Sequence, residues 1–320
     1  MDIRPSRPAS RLTAALARGP VILDGAMGTE LDARGVDTSH ELWSALALID
    51  RPAAISAVHT DYLAAGAQVI TTNSYQASLP AFMRAGLDEG RARAALAASA
   101  RLALEARAAH AAAGGRQAVV AGSVGPYGAS LADGSEYTGD YRLDDAGWDA
   151  FHAPRLEILL DQGVDVIAVE TMPRLDEAQA VVELLERLSP AARAWVSFQV
   201  DGGGERLADG TPLLRAASWA QEAAGVIAVG VNCVAPEAVL PALEAMRAVT
   251  TKPLVAYPNS GDLYHPSTKT WTVVPAERRF TAHARSWARA GARLIGGCCR
   301  TTPADTAVLA TALTPAPPSG

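Results

Sequence analysis

Short apolar runs rich in Val, Ile and Ala alternate along the chain with longer stretches whose apolar side chains recur every three or four residues. The short runs predict strands at Val21–Leu23, Gln68–Thr71, Ala118–Ala121, Val164–Val169, Ala194–Val200, Ile227–Val231, Pro253–Ala256 and Arg293–Ile295. The longer stretches predict helices at Pro52–Ala65, Glu89–Ala113, Asp144–Gln162, Leu175–Leu188, Thr211–Ala224, Pro236–Val249, Pro275–Ala290 and Pro303–Leu313. Val239, Leu240, Leu243, Met246 and Val249 illustrate the helical step. Proline or aspartate opens several of these segments, as at Thr302-Pro303, Asp144 and Asp176. Glycine closes others, at Gly66, Gly163, Gly225 and Gly291.

Regular strand–helix alternation implies parallel strands joined by crossover helices. Eight such units in 320 residues predict an α/β fold, a single (β/α)8 TIM barrel over residues 1–313, with TPAPPSG (314–320) as a disordered tail. A two-domain Rossmann arrangement is the competitor. It lacks its signature, since no G-x-G-x-x-G follows the first strand and no P-loop occurs. Three segments are longer than ordinary connections: 25–51, 125–142 and 257–274, after strands one, three and seven. In a barrel all three lie on the C-terminal face.

Composition narrows the partners. With 49% hydrophobic and 19% charged residues the chain is too apolar for disorder. A net charge of −6 gives no reason to expect nucleic acid or an acidic membrane surface. No apolar run reaches the ~18 residues of a membrane span. The Arg- and Ser-containing start resembles a transit peptide only superficially, because strand character begins at Val21. A cytoplasmic protein is expected.

In a barrel, chemistry belongs where each strand runs into its following loop. Those positions read Asp24, Thr71-Thr72-Asn73, Ser123, Glu170, Gln199, Asn232-Cys233, Tyr257 and Cys298-Cys299. All three cysteines of the chain are among them. An odd number including a vicinal pair does not suit a disulfide framework. Two readings remain, three buried free thiols or three thiolates converging on a zinc ion with one open position. A trithiolate zinc site is a poor activator of water but a good host for a further thiolate, which points to thiol alkylation rather than hydrolysis. Asp24 and Glu170 follow apolar runs and suit an amino-acid ammonium, with backbone amides of the 25–28 or 72–73 turns available to its carboxylate. Capping or arginine pairing is the plainer alternative for each.

Other residues exclude more than they suggest. The histidines (His40, His59, His110, His152, His265 and His283) show no paired-ligand spacing and read mostly as solvated surface. Neither Lys252 nor Lys269 ends a strand, which disfavours Schiff-base chemistry. Gly296-Gly297 has the look of a phosphate cradle, but the adjacent cysteines argue against it.

GVNC (230–233) with GGCC (296–299) resembles the metal motif of the zinc-dependent homocysteine S-methyltransferases, and the likeness runs from ILDGAMGTEL (22–31) to GGCCRTTP (296–303). TTNSYQAS (71–78), GSVGPYGASLADGSEYTGDY (122–141), ETMP (170–173), LADGTPL (207–213) and YPNSGDLYHPSTKTW (257–271) resemble the branch that uses S-methylmethionine. Asn73 departs from that branch, where a smaller residue is usual. The resemblance implies one zinc ion on Cys233, Cys298 and Cys299, and L-homocysteine and a sulfonium donor as substrates. It further implies that Asp24 and Glu170 contact the homocysteine amino group and that Thr72 lies near its carboxylate. Asn232 joins these as a substrate-binding candidate, while Tyr127, Tyr257 and Asn259 are donor-pocket candidates by loop position. S-adenosylmethionine as donor, selenocysteine or another small thiol as acceptor, and a non-catalytic thiol-binding protein are the alternatives.

Overall fold

Consecutive β-branched and small apolar residues suit strands that are buried on both faces, and such runs form the barrel wall. In a computed structural model describing residues 9–38, 42–265, 270–273, 275 and 279–313, the strands are β1 (Val21–Ile22), β2 (Val69–Thr71), β3 (Val119–Val124), β4 (Val166–Met172), β5 (Ala194–Phe198), β6 (Val226–Asn232), β7 (Leu254–Tyr257), β8 (Leu263–His265), β9 (Thr270–Thr272) and β10 (Ala292–Ile295). Eight of them form one parallel sheet in the order β1-β10-β7-β6-β5-β4-β3-β2. A parallel bridge between Leu23 and Val69 joins its two edges, which makes the sheet a (β/α)8 barrel.

Side-chain alternation divides the core in two. One cluster fills the barrel, with Val21, Leu23, Val69, Val119, Ala121, Val166, Ala168, Trp195, Ala228, Val255 and Leu294. The larger cluster lies between barrel and helices and takes the alternate positions, such as Ile167, Val169, Val196 and Val229. Advancing two residues along the inward rows reaches the C-terminal mouth, where they turn polar at Thr71, Ser123, Glu170 and Ser197, and in β6 four residues lead from Ala228 to Asn232. Gly230 lies in one such row, and a Cβ there would stand 1.9 Å from the Val255 carbonyl oxygen.

The opposite mouth is plugged. Helix Ala9–Leu16, absent from the sequence expectation, inserts Leu12 into the barrel cluster. Arg11 and Arg107 pair with Asp165 at 3.4 and 2.5 Å beneath β4.

The predicted helices recur with ends moved by a few residues, and Asp144 caps its helix by accepting from the Gly147 amide. The exception is Pro275–Ala290, whose described residues form a short 3-10 turn at Phe280–His283 and a helix over Ala284–Arg289. The long segment after β7 contains the antiparallel strand pair β8–β9, and the one after β1 holds helix Met27–Ala33. The expected tail, His40 and Lys269 lie outside the described residues.

Candidate metal and substrate site

Cys233 follows β6, and Cys298 and Cys299 follow β10, so two strands that flank β7 bring the three thiols together. Their sulfurs all lie within 4.8 Å of one another, with Cys233 Sγ 3.6 Å from Cys299 Sγ. Four sulfurs in a tetrahedron with 2.3 Å zinc bonds stand about 3.8 Å apart, so the trio has the spacing of a metal-binding set. The backbone holds it there. The amide of Cys233 donates to the Tyr257 carbonyl (3.1 Å) and that of Cys298 to Pro258 (2.7 Å), while Ser260 N–H donates to Cys299 (3.0 Å).

Gly296 and Gly297 serve this packing rather than a phosphate. A Cβ at 296 would lie 2.5 Å from Leu23 Cβ, and one at 297 would lie 2.4 Å from Thr301 Oγ1. Three site segments also place a non-glycine residue in the left-handed region: Thr171 (φ 58°), Cys233 (φ 53°) and Arg300 (φ 64°). Such strain collects at functional sites and needs surrounding bonds to hold it. At Thr171 the holder is Asn232, whose Oδ1 accepts from Thr171 N–H and whose Nδ2 donates to Thr171 Oγ1, both at 2.7 Å.

The thiols share their protons unequally. Hydrogen bonds from Cys233, and then Cys298, pull the Cys299 thiol well below the usual range. Hydrogen bonding to Cys233 and Cys299, followed by burial, pushes Cys298 up.

The strand-borne carboxylates form a second group. Asp24 accepts from Thr71 N–H (2.7 Å) and Thr71 Oγ1, and burial raises its pKa to about 8, with a smaller push from the charge on Glu170. Glu170 is also raised by burial, although hydrogen bonds from Ser123 Oγ and from Tyr257 OH (2.9 Å) oppose the shift. Tyr257 OH further takes the Trp195 indole N–H at 3.1 Å and lies 2.6 Å from Ser197 Oγ. Ser197 in turn donates to Asn232 at 2.8 Å. Tyr257, expected in the donor pocket, is therefore built into the floor beneath Glu170.

Thr72 is buried, with its Oγ1 accepting from Ser123 N–H at 2.9 Å. Its own amide is committed to Ala121 (2.9 Å), so the amide expected to meet a carboxylate there is already occupied. Asn73 holds Ser44 through two bonds, at 2.7 and 2.8 Å, which gives its unusual presence a structural reason. Asn259 keeps a buried Oδ1 with no hydrogen-bond partner. Tyr127 stands apart from this cluster. Its ring packs against Phe151, Tyr141 and Trp148 at 5.0–6.3 Å, and its amide donates to Glu177.

The segment after β3 supplies what strand ends alone do not reveal. Tyr137 OH lies 3.6 Å from Cys233 Sγ, and Glu136 beside it is buried and feels the charge of Cys299. Tyr75 feels the charge of Cys233 and Cys298 and bonds Thr171. In the sequence these residues are marked only by the length of the segment after β3 and by the family resemblance of TTNSYQAS (71–78), which holds Tyr75 after β2, and GSVGPYGASLADGSEYTGDY (122–141).

A buried relay holds these segments together. Arg155 donates to the carbonyls of Tyr75 (2.8 Å) and Gly125 (2.7 Å) and to His152 Nδ1 (3.0 Å). Arginine only donates, so Nδ1 accepts and Nε2–H is left to donate to Glu177 Oε1 at 2.9 Å. Burial lowers the pKa of His152, consistent with a neutral ring. His152 and His59 are fully buried, which corrects their reading as surface residues, whereas His110 and His283 are partly exposed.

Comparison with known proteins agrees with this geometry. The family model for homocysteine S-methyltransferases matches residues 21–313. The chain is 48% identical over 292 residues to the homocysteine S-methyltransferase of Escherichia coli, covering 90% of this chain and 94% of that one. It is 43% identical over 288 residues to homocysteine S-methyltransferase YbgG of Bacillus subtilis, covering 88% and 91%. The crystal structure of the metallated form of the E. coli homocysteine methyltransferase MmuM superposes with a TM-score of 0.85 at 44% identity, over 96% of this chain and all of the other. A barrel whose mouth joins three cysteine sulfurs to buried carboxylates, matched along nearly its whole length, belongs to the homocysteine S-methyltransferase family.

Proposed function

We propose that this enzyme moves a methyl group from S-methylmethionine to the sulfur of L-homocysteine, giving methionine, and that its metal is zinc. The juxtaposition of the three sulfurs with the buried Asp24–Glu170 pair carries the reading. A zinc ion on Cys233, Cys298 and Cys299 supplies, when bound, a positive centre that keeps a substrate thiol deprotonated at neutral pH.

The protein's own groups do the remaining work. Asp24 and Glu170 hold the homocysteine ammonium, whose charge offsets the cost of their burial. Thr72 borders the homocysteine carboxylate. Asn232 fixes the backbone turn at Thr171 and so keeps Glu170 in place. Asn259, with its free Oδ1, lines the donor side. During transfer a bond forms between the homocysteine sulfur and the methyl carbon while the donor's S–CH3 bond breaks. The electron pair of that bond returns to the donor sulfur, which leaves as a neutral thioether, so no general acid is required. Catalysis is alignment and nucleophile activation. With S-methylmethionine both products are methionine. Three free thiols need a reducing compartment, which favours the cytoplasm.

The test supplies zinc-loaded protein with L-homocysteine and S-methylmethionine labelled in the transferable methyl. Label in methionine, absent with Cys233→Ala, is the expected result. Transfer only from S-adenosylmethionine overturns the donor, and zinc binding and transfer that both survive Cys233→Ala overturn the metal site.

A further inference from the structure

Asp24, Glu170 and Glu136 are buried carboxylates at the barrel mouth, and they are not equivalent. Asp24 and Glu170 arise from strand ends and accept hydrogen bonds from Thr71, Ser123 and Tyr257. Glu136 arises from the one-turn 3-10 helix Ser135–Tyr137 in the segment after β3. It is 2% exposed, yet its Oε2 is buried with no hydrogen-bond partner. Among the described residues no arginine, lysine or histidine forms an ion pair with it.

Its surroundings locate it. Tyr137, the next residue, reaches Cys233 Sγ, and the charge of Glu136 is felt at Tyr75, which bonds Thr171. Its backbone is closely seated, since a Cβ on Gly128 would lie 2.8 Å from Glu136 N and 2.4 Å from the Tyr141 ring. A carboxylate buried without a cation is costly, and the cost is relieved when a ligand brings the cation.

The reaction joins two amino acids and therefore brings two ammonium groups. The strand-borne pair is matched to that of homocysteine. We propose that Glu136 binds the α-ammonium of the methyl donor and so selects an amino-acid sulfonium over a simple one. The inference rests on S-methylmethionine being the donor. The ammonium is a better partner than the sulfonium because the sulfonium loses its charge as the methyl leaves. A carboxylate placed against it would stabilise the reactant more than the transition state. The ammonium keeps its charge throughout.

The experiment compares two donors at saturating homocysteine, S-methylmethionine and 4-(dimethylsulfonio)butanoate, which is the same sulfonium without the ammonium. The wild type prefers S-methylmethionine. In Glu136→Gln, kcat/KM for S-methylmethionine falls by roughly 10- to 100-fold, the range of a hydrogen bond to a charged group, mostly through KM. The value for the ammonium-free donor stays the same, so the preference collapses, while the homocysteine KM and bound metal do not change. Calorimetric titration with S-methylmethionine weakens by the same factor, and Glu136→Asp falls between the wild type and Glu136→Gln. An active Glu136→Gln that keeps the wild-type preference, or loses equally on both donors, overturns the assignment. Wild-type protein that cannot use S-methylmethionine overturns the donor reading instead, and the two failures are told apart by which protein shows them.

Discussion

The mouth of this barrel has two sides built in different ways. The strand side carries Asp24, Thr71, Ser123, Glu170, Ser197, Asn232 and Tyr257, each hydrogen-bonded to another of the set. The side formed by the segment after β3 offers Glu136 and Tyr137 and is held from behind by the Glu177–His152–Arg155 relay. A side chain on a strand inherits its position from the sheet. A side chain on a long segment needs a separate anchor, and here that anchor is buried and charged. On the proposed function the strand side takes homocysteine, and the other side keeps one unpartnered carboxylate oxygen, Glu136 Oε2, for the donor.

Removing the anchor tests that division most severely. Glu177 accepts from Tyr127 N–H (2.5 Å), Tyr141 OH (2.6 Å) and His152, and is fully buried. Glu177→Ala removes the acceptor of these three hydrogen bonds and the largest negative charge felt by the buried Arg155, and should cost about 3–5 kcal/mol of stability, read by denaturant unfolding. The surviving folded protein should lose donor affinity more than homocysteine affinity. An equal loss on both substrates would mean that the relay supports the whole mouth.

The next effect falls on the other side. Glu170→Gln keeps the shape but removes the charge, and the homocysteine KM should rise roughly 10- to 100-fold while the donor KM holds. An unchanged homocysteine KM would count against its role with the ammonium.

The smallest effect is one of pH. Asp24 ionises near pH 8, and only its charged form attracts an ammonium, so kcat/KM for homocysteine should climb as pH rises toward about 8. Asp24→Asn should remove that limb. The same shift acts on stability in the opposite sense. The folded pKa lies above the ordinary 3.8, so the stabilising contribution is complete below that value and is lost as pH rises to about 8. Homocysteine should therefore raise the melting temperature more at pH 8 than at pH 6.

The strand side was legible in sequence and the other side was not, for a physical reason. Strand ends can be counted, and in a barrel they converge, so Asp24, Glu170 and the three cysteines could be placed from the alternation of apolar runs alone. Tyr75, Glu136 and Tyr137 reach the site only after their segments fold back. The direction of that fold-back is set by Arg155 and Glu177, which belong to helices on the outside of the barrel. His152 looked like a surface residue because its helix has little segregation of polar from apolar positions, yet it faces the relay. Loop position alone makes Tyr127 a donor-pocket candidate, whereas its ring packs with Tyr141, Trp148 and Phe151. The plug helix Ala9–Leu16 gave no warning, being short and preceding the first strand.

The left-handed residues at the mouth bear on how portable the site is. A pleated strand sends neighbouring side chains to opposite faces, so one strand end normally contributes every second residue. The turn at Cys233 interrupts that rule: Asn232 reaches Thr171 and Ser197 while the very next residue, Cys233, reaches Cys299 and Tyr137, and the backbone turns in the same left-handed way at Thr171 beside Glu170. Transplanting the three cysteines alone onto another barrel would therefore not recreate the trio, because a relaxed backbone would aim Cys233 elsewhere. A designer would have to graft the crossing backbone as well, together with the Asn232 side chain that clamps it.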